Sequence, residues 1–211
     1  VFAADATERA RRVRFIIFDV DGVLTDGGIY TGEQGELMKP FYVRDGLGIR
    51  LWQNEGFGTA LITGRDSAIV SLRAAELKIE DVYLGHIDKR AAYEEIKTRH
   101  ALSDEAVGYI GDDLVDLAVM QRVGFPAAPA DACAEVRGLC AFVAAAAGGR
   151  GAVREIIENA DEVFIMGHHN EDFDCFGAAI GMAKMARDLK KPVHIVLSDM
   201  NEGIDKLIGL L

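Results

Sequence analysis

Residues 14–28 read RFIIFDVDGVLTDGG. The opening RFIIFDV is a short apolar run rich in β-formers, the pattern of a strand buried on both faces. It ends on two aspartates, Asp19 and Asp21, with one residue between them and a glycine after. At a strand end, this alternation can aim one side chain into a site and leave the backbone carbonyl of the other beside it. In parallel α/β sheets function gathers at the carboxyl ends of the strands, where these aspartates would fall.

The flanking sequence repeats the theme. GGIYTGEQGELMKPFYV (27–43) is punctuated by glycine and alternates, which predicts a small β-hairpin. DGLGIRLWQNEG (45–56) reads as a helix closed by Gly56, and TALIT (59–63) as a second core strand. DSAIVSLRAAELK (66–78) starts on an Asp/Ser cap and runs as a helix. The alternation continues through VYLG, KRAAYEEIKTRHA, VGYIGDD (107–113) and LVDLAVMQRVG, then into short strands, a short helix and the glycine-rich GGRG. Strands alternating with helices predict an α/β fold with a doubly wound, Rossmann-like parallel sheet over residues 1–154. Beyond it, EVFIMG, CFGAAIGMAKMARDL, PVHIVLSD and NEGIDKLIGLL suggest a partial βαβα unit over 155–211.

Composition narrows the partners. The 211 residues carry a formal charge of −11, which argues against nucleic acid, whose phosphates select basic surfaces. A phosphorylated small molecule stays open, because local charges and a metal can bind it. No apolar run is long enough to span a membrane. Cys133, Cys140 and Cys175 form neither a disulfide framework nor a zinc knuckle and suit a reducing cytoplasm.

The polar residues at the predicted strand ends form a set. Asp19 and Asp21 follow the first strand, Thr63 the second, Lys89 opens the helix after VYLGHID, and Asp112, Asp113 and Asp116 follow VGYI. Phosphoryl transfer from a monoester needs a nucleophile, an acid for the leaving alkoxide, a divalent metal and donors for the phosphoryl oxygens. Carboxylates binding a hard ion through oxygen fit Mg²⁺. Taken singly, strand-end aspartates are often turn formers; together and in this order they point to chemistry.

The series DVDGVLT, TGR, a lysine and GDDLVD resembles the haloacid dehalogenase-like (HAD-like) phosphatases. The hairpin in place of a cap, KPFYVRDGLGI, TGRDSAIV and GGRGAVRE make the chain similar to the capless 3-deoxy-D-manno-octulosonate 8-phosphate (KDO 8-phosphate) phosphatases over about residues 10–155. The resemblance implies Asp19 as nucleophile and Asp21 as general acid and then base. It implies Mg²⁺ on Asp19, the Asp21 carbonyl and Asp112, supported by Asp113 and Asp116. Thr63 and Lys89 would bind the phosphoryl group. Arg44, Asp45, Gly46, Gly64 and Arg65 are candidates for a phosphorylated sugar acid, an arginine fork suiting its carboxylate. It further implies a cytoplasmic homotetramer serving lipopolysaccharide synthesis.

A second stretch, GHHNEDFDCFG (167–177), is similar to the first motif of the DHH-family phosphoesterases. That likeness implies Mn²⁺ at His168, Asp172 and Asp174. The Asp-His-His triplet of that family does not occur in the chain, so this reads as an incomplete site. Two alternatives to a sugar-acid phosphatase follow: a DHH-type Mn²⁺ phosphodiesterase, or a non-catalytic fusion in which the appended segment mediates interaction.

Overall fold

The computed structural model describes residues 6–158 and the backbone of 163–166 and 193–196. Helix α1 (Ala6–Arg12) leads into β1 (Phe15–Phe18). The hairpin strands β2 (Tyr30–Gly32) and β3 (Gly35–Met38) and helix α2 (Val43–Asn54) come next. They are followed by β4 (Gly58–Ile62), α3 (Ala68–Glu76), β5 (Asp81–Tyr83), α4 (Arg90–His100) and β6 (Val107–Ile110). Then come α5 (Leu117–Met120), β7 (Phe125–Ala128), α6 (Ala134–Leu139), β8 (Phe142–Val143) and α7 (Ala152–Glu158).

Six strands form one parallel sheet in the order β5-β4-β1-β6-β7-β8. The chain winds outward from β1 first on one side and then on the other, so the carboxyl ends of β1, β4 and β6 meet at the switch point, where α/β sheets bind ligands. All four residues of β1 are buried. Ile16 and Phe18 join one core cluster with Leu61 and Ile110, while Phe15 and Ile17 join the other with Ala60, Ile62 and Tyr109. Alternate side chains therefore serve opposite faces, which is why the strand carries an unbroken apolar run.

The hairpin forms where the glycine pattern predicts it, antiparallel with an irregular register at Tyr30/Thr31. Gly56 closes α2 with φ of 83°, and the Ser67 side chain caps α3 by accepting from the Val70 amide. One predicted helix is different. LVDLAVMQRVG splits into a 3-10 turn at Leu114–Asp116 and the single-turn α5. The Asp116 carboxylate is the reason: it reaches back to the amides of Asp112 and Asp113, 3.0 and 3.2 Å away, and tightens the first turn around itself.

The chain divides into two compact units, Val1–Ala160 and Asp161–Leu211. The first unit retains the whole of α7, which runs across the 154/155 boundary suggested by sequence. In the second unit β9 (Val163–Met166) and β10 (Val193–Val196) pair in parallel, at the places expected for EVFIMG and PVHIVLSD. His168, Asp172 and Asp174 lie outside the described residues. Among the described residues no helix is long and apolar enough to cross a membrane.

Candidate active site

Asp19 is the first residue past β1, and its amide donates to the Ile110 carbonyl at 2.9 Å, tying the strand end to β6. The chain then turns tightly: the Val20 carbonyl accepts from the amides of Val23, Leu24 and Thr25. Gly22 sits in this turn with φ of +95°, and a Cβ there would fall 2.0 Å from Asp112 Oδ2. Glycine is therefore required at this position both by backbone conformation and by the carboxylate pressed against it. The turn is backed by GGRG, since a Cβ on Gly148 would meet the Gly22 carbonyl at 1.8 Å.

Lys89 lies at the start of α4, 1% exposed. Its Nζ stands 2.9 Å from Asp19 Oδ1 and 2.6 Å from Asp116 Oδ1. Burial by itself would lower the lysine's pKa, but the two carboxylates outweigh that and raise it. Asp116 is fully buried and also accepts from the Tyr109 hydroxyl at 2.7 Å, besides the two amides of its own turn. With its oxygens so occupied, Asp116 fixes Lys89 rather than presenting a free ligand.

Asp112 is the opposite case, for its Oδ1 is buried and has no hydrogen-bond partner. Carboxylate oxygens of Asp19, Asp112 and Asp116 all lie within 4.8 Å of one another. Burial, with the charges of Asp19 and Asp116 added, pushes Asp112 up to about 8. Burial also lifts Asp19 to about 6, against the pull of Lys89. Three carboxylates facing one ammonium, with Oδ1 of Asp112 and Oδ1 of Asp19 buried without a hydrogen bond and the Asp19 oxygen met only by the Lys89 charge, fit a hard divalent cation. Asp19 and Asp112 have the oxygens for it. Asp113, expected to support the metal, is exposed and instead caps the 3-10 turn through the Leu114 amide.

The site continues along β4. Thr63 is 1% exposed, its amide donating to Tyr83 and its carbonyl accepting from His86, so its hydroxyl is held at the strand end. Gly64 follows, and Arg65 extends with Nε 3.9 Å from Asp21 Oδ2. Asp21 makes its close ion pair elsewhere, with Lys39 from the end of the hairpin. Lys39 also lies 3.3 Å from Glu36 Oε1, and Ser67 donates to the other Glu36 oxygen. Sequence reasoning missed Lys39, Glu36, Ser67 and Tyr109. A lysine next to proline in a polar hairpin gives no local sign that its side chain turns inward.

Two expected substrate residues are placed otherwise. Asp45 is 2% exposed and accepts from the amides of Gly151 and Arg154, at 3.2 and 2.8 Å, which makes it the cap of α7. Gly46 is a close-packing position, where a Cβ would meet the Arg73 guanidinium at 2.4 Å. Arg44 is exposed and lines a cavity of about 510 Å³ with Tyr42, Leu47, Arg150 and Arg154. None of Asp19, Asp21, Asp112 and Lys89 lines that cavity.

No family model matches the chain. Individual proteins do. It is 44% identical over 156 residues to the 3-deoxy-D-manno-octulosonate 8-phosphate phosphatase KdsC of Escherichia coli K12, covering 74% of this chain and 83% of the relative. The crystal structure of the Yersinia pestis 3-deoxy-D-manno-octulosonate 8-phosphate phosphatase superposes with a TM-score of 0.72 at 45% identity, over 74% of this chain and 84% of that one. The Moraxella catarrhalis enzyme, solved with a magnesium ion, a phosphate ion and KDO, matches at 34% identity and a TM-score of 0.72, over 84% of this chain and 99% of that one. Likeness at this level, over most of each relative, makes the chain a member of the 3-deoxy-D-manno-octulosonate 8-phosphate phosphatase family of HAD-like hydrolases.

Proposed function

We propose that the chain is a Mg²⁺-dependent phosphomonoesterase that releases phosphate from 3-deoxy-D-manno-octulosonate 8-phosphate. The observation that carries this reading is Asp19 at the switch point, held by Lys89, beside the unpartnered Asp112 oxygen. Mg²⁺ would be held by Asp19, Asp112 and the Asp21 carbonyl, and when bound it supplies positive charge to the phosphoryl oxygens. The chain's own groups carry the two displacements. An Asp19 oxygen bonds to phosphorus while the bond from phosphorus to the sugar oxygen breaks, and Asp21 gives that oxygen its proton. Asp21, now a carboxylate, takes a proton from water as the water oxygen attacks phosphorus. The bond from Asp19 to phosphorus then breaks, giving inorganic phosphate and the free carboxylate. Lys89 and the Thr63 hydroxyl offset and bind the phosphoryl oxygens, and Arg65 with Gly64 stands on the substrate side.

The test is phosphate release from a panel of sugar phosphates, with Mg²⁺ present. Preference for KDO 8-phosphate over hexose phosphates supports the substrate; equal turnover across the panel leaves a phosphatase of another specificity.

The buried carboxyl groups make a separate prediction. Asp19 and Asp112 keep protons in the metal-free fold that the unfolded chain loses near its ordinary carboxylate range. The folded state then binds more protons than the unfolded one, so metal-free stability falls as pH rises from about 4 toward about 8. Mg²⁺ takes the place of those protons, so the gain in Tm on adding Mg²⁺ should be larger at pH 8 than at pH 6. Equal gains at both would contradict it.

A homotetramer and a cytoplasmic location belong to the same proposal. Ile29, Leu37 and Val43 are 61, 68 and 79% exposed on and beside the hairpin, and large apolar side chains left in solvent support a further chain packing there. A second activity with Mn²⁺ at His168, Asp172 and Asp174 rests on sequence alone.

A further inference from the structure

The hairpin is largely exposed, yet the residue following its second strand is one of the more buried charges described: Lys39 is 7% exposed. Burying an ammonium is costly unless it is paired, and Lys39 has two partners, Asp21 Oδ1 and Glu36 Oε1. Glu36 in turn accepts from Ser67, the residue that caps α3. One chain of contacts, Ser67 to Glu36 to Lys39 to Asp21, therefore joins the turn after β1, the end of the hairpin and the loop after β4. The Asp21 carboxylate is held through Oδ1, while its Oδ2 is buried and without a hydrogen-bond partner. Arg65 Nε approaches that oxygen only to 3.9 Å.

We propose that Lys39 is a positioning residue: it clamps Asp21 through Oδ1 and leaves Oδ2 as the oxygen that passes the proton to and from the reacting groups. This rests on the reading of Asp21 as acid and base. The Lys39 side chain is 2% exposed, so it acts through Asp21 and not on the sugar. Without the clamp the Asp21 side chain regains rotamer freedom, and the acid is in place for a smaller fraction of encounters.

The test uses the full chain with Mg²⁺ and compares kcat/KM for KDO 8-phosphate with that for p-nitrophenyl phosphate. The alkoxide leaving group needs a proton from Asp21, whereas nitrophenolate departs without one. Lys39→Met should lower kcat/KM for the alkyl ester about 100-fold and for the aryl ester less than about 5-fold, with Lys39→Arg recovering most of the loss. Equal losses on both esters, which is what a merely structural lysine would produce, overturn the proposal, as does no loss on either. If Lys39→Met does not fold, Lys39→Gln is read in the same way, and an unchanged ratio between the esters overturns it. Should the wild-type chain ignore KDO 8-phosphate, the substrate reading fails, and the same ratio is measured on whichever alkyl phosphate it does turn over.

Discussion

Asp19→Asn should abolish phosphate release, by about 10⁵-fold or more, while the protein stays folded. The amide keeps the shape of the side chain but loses the carboxylate proposed as the nucleophile. It also removes one of three carboxylates crowded within 4.8 Å, so repulsion in the metal-free protein is relieved. Its melting temperature without metal should therefore be at least that of the wild type, and the stabilisation by Mg²⁺ should shrink. Activity lost together with stability would mean that Asp19 serves mainly as a structural partner of Lys89. Retained turnover would place the nucleophile elsewhere.

Lys89→Met should damage both rate and stability. The lysine is the one cation within 3 Å of Asp19 and Asp116 among the described contacts, and removing it leaves buried carboxylates facing one another. Breaking a buried pair on one side costs about 3–5 kcal/mol. On the proposed mechanism, in which Lys89 offsets charge on the phosphoryl oxygens, its loss should lower kcat by about 10³-fold. Urea unfolding with and without Mg²⁺ separates the two effects, because the cation replaces part of the missing charge and should return part of the stability but little of the rate. Unchanged unfolding would show that Asp116 is satisfied by Tyr109 and its own turn alone.

Much of the fold was legible because its decisive signals are local. An apolar run that ends in carboxylates announces a buried strand and a site at its carboxyl end, and Asp19, Thr63, Lys89 and Asp112 lie where such ends fall. What escaped depends on contacts between distant segments. Asp45 and Gly46 stand beside Arg44 in VRDG and look like substrate residues, but one caps α7, more than a hundred residues later, and the other makes room for Arg73. Lys39 reads as a hairpin surface charge until the hairpin folds back on Asp21. Asp116 looked like a helix residue near a metal, yet its carboxylate breaks the helix and saturates itself with donors. GGRG looked like a closing loop and is the backing of the Asp19–Asp21 turn.

The central claim is that phosphate leaves its ester by way of Asp19. Rapid acid quench of the full chain during turnover with Mg²⁺, followed by peptide mass spectrometry, tests it directly. The peptide containing Asp19 should carry one phosphoryl group, absent from Asp19→Asn. Phosphate released with the label on another residue, or with no label and undiminished turnover in Asp19→Asn, would contradict the account.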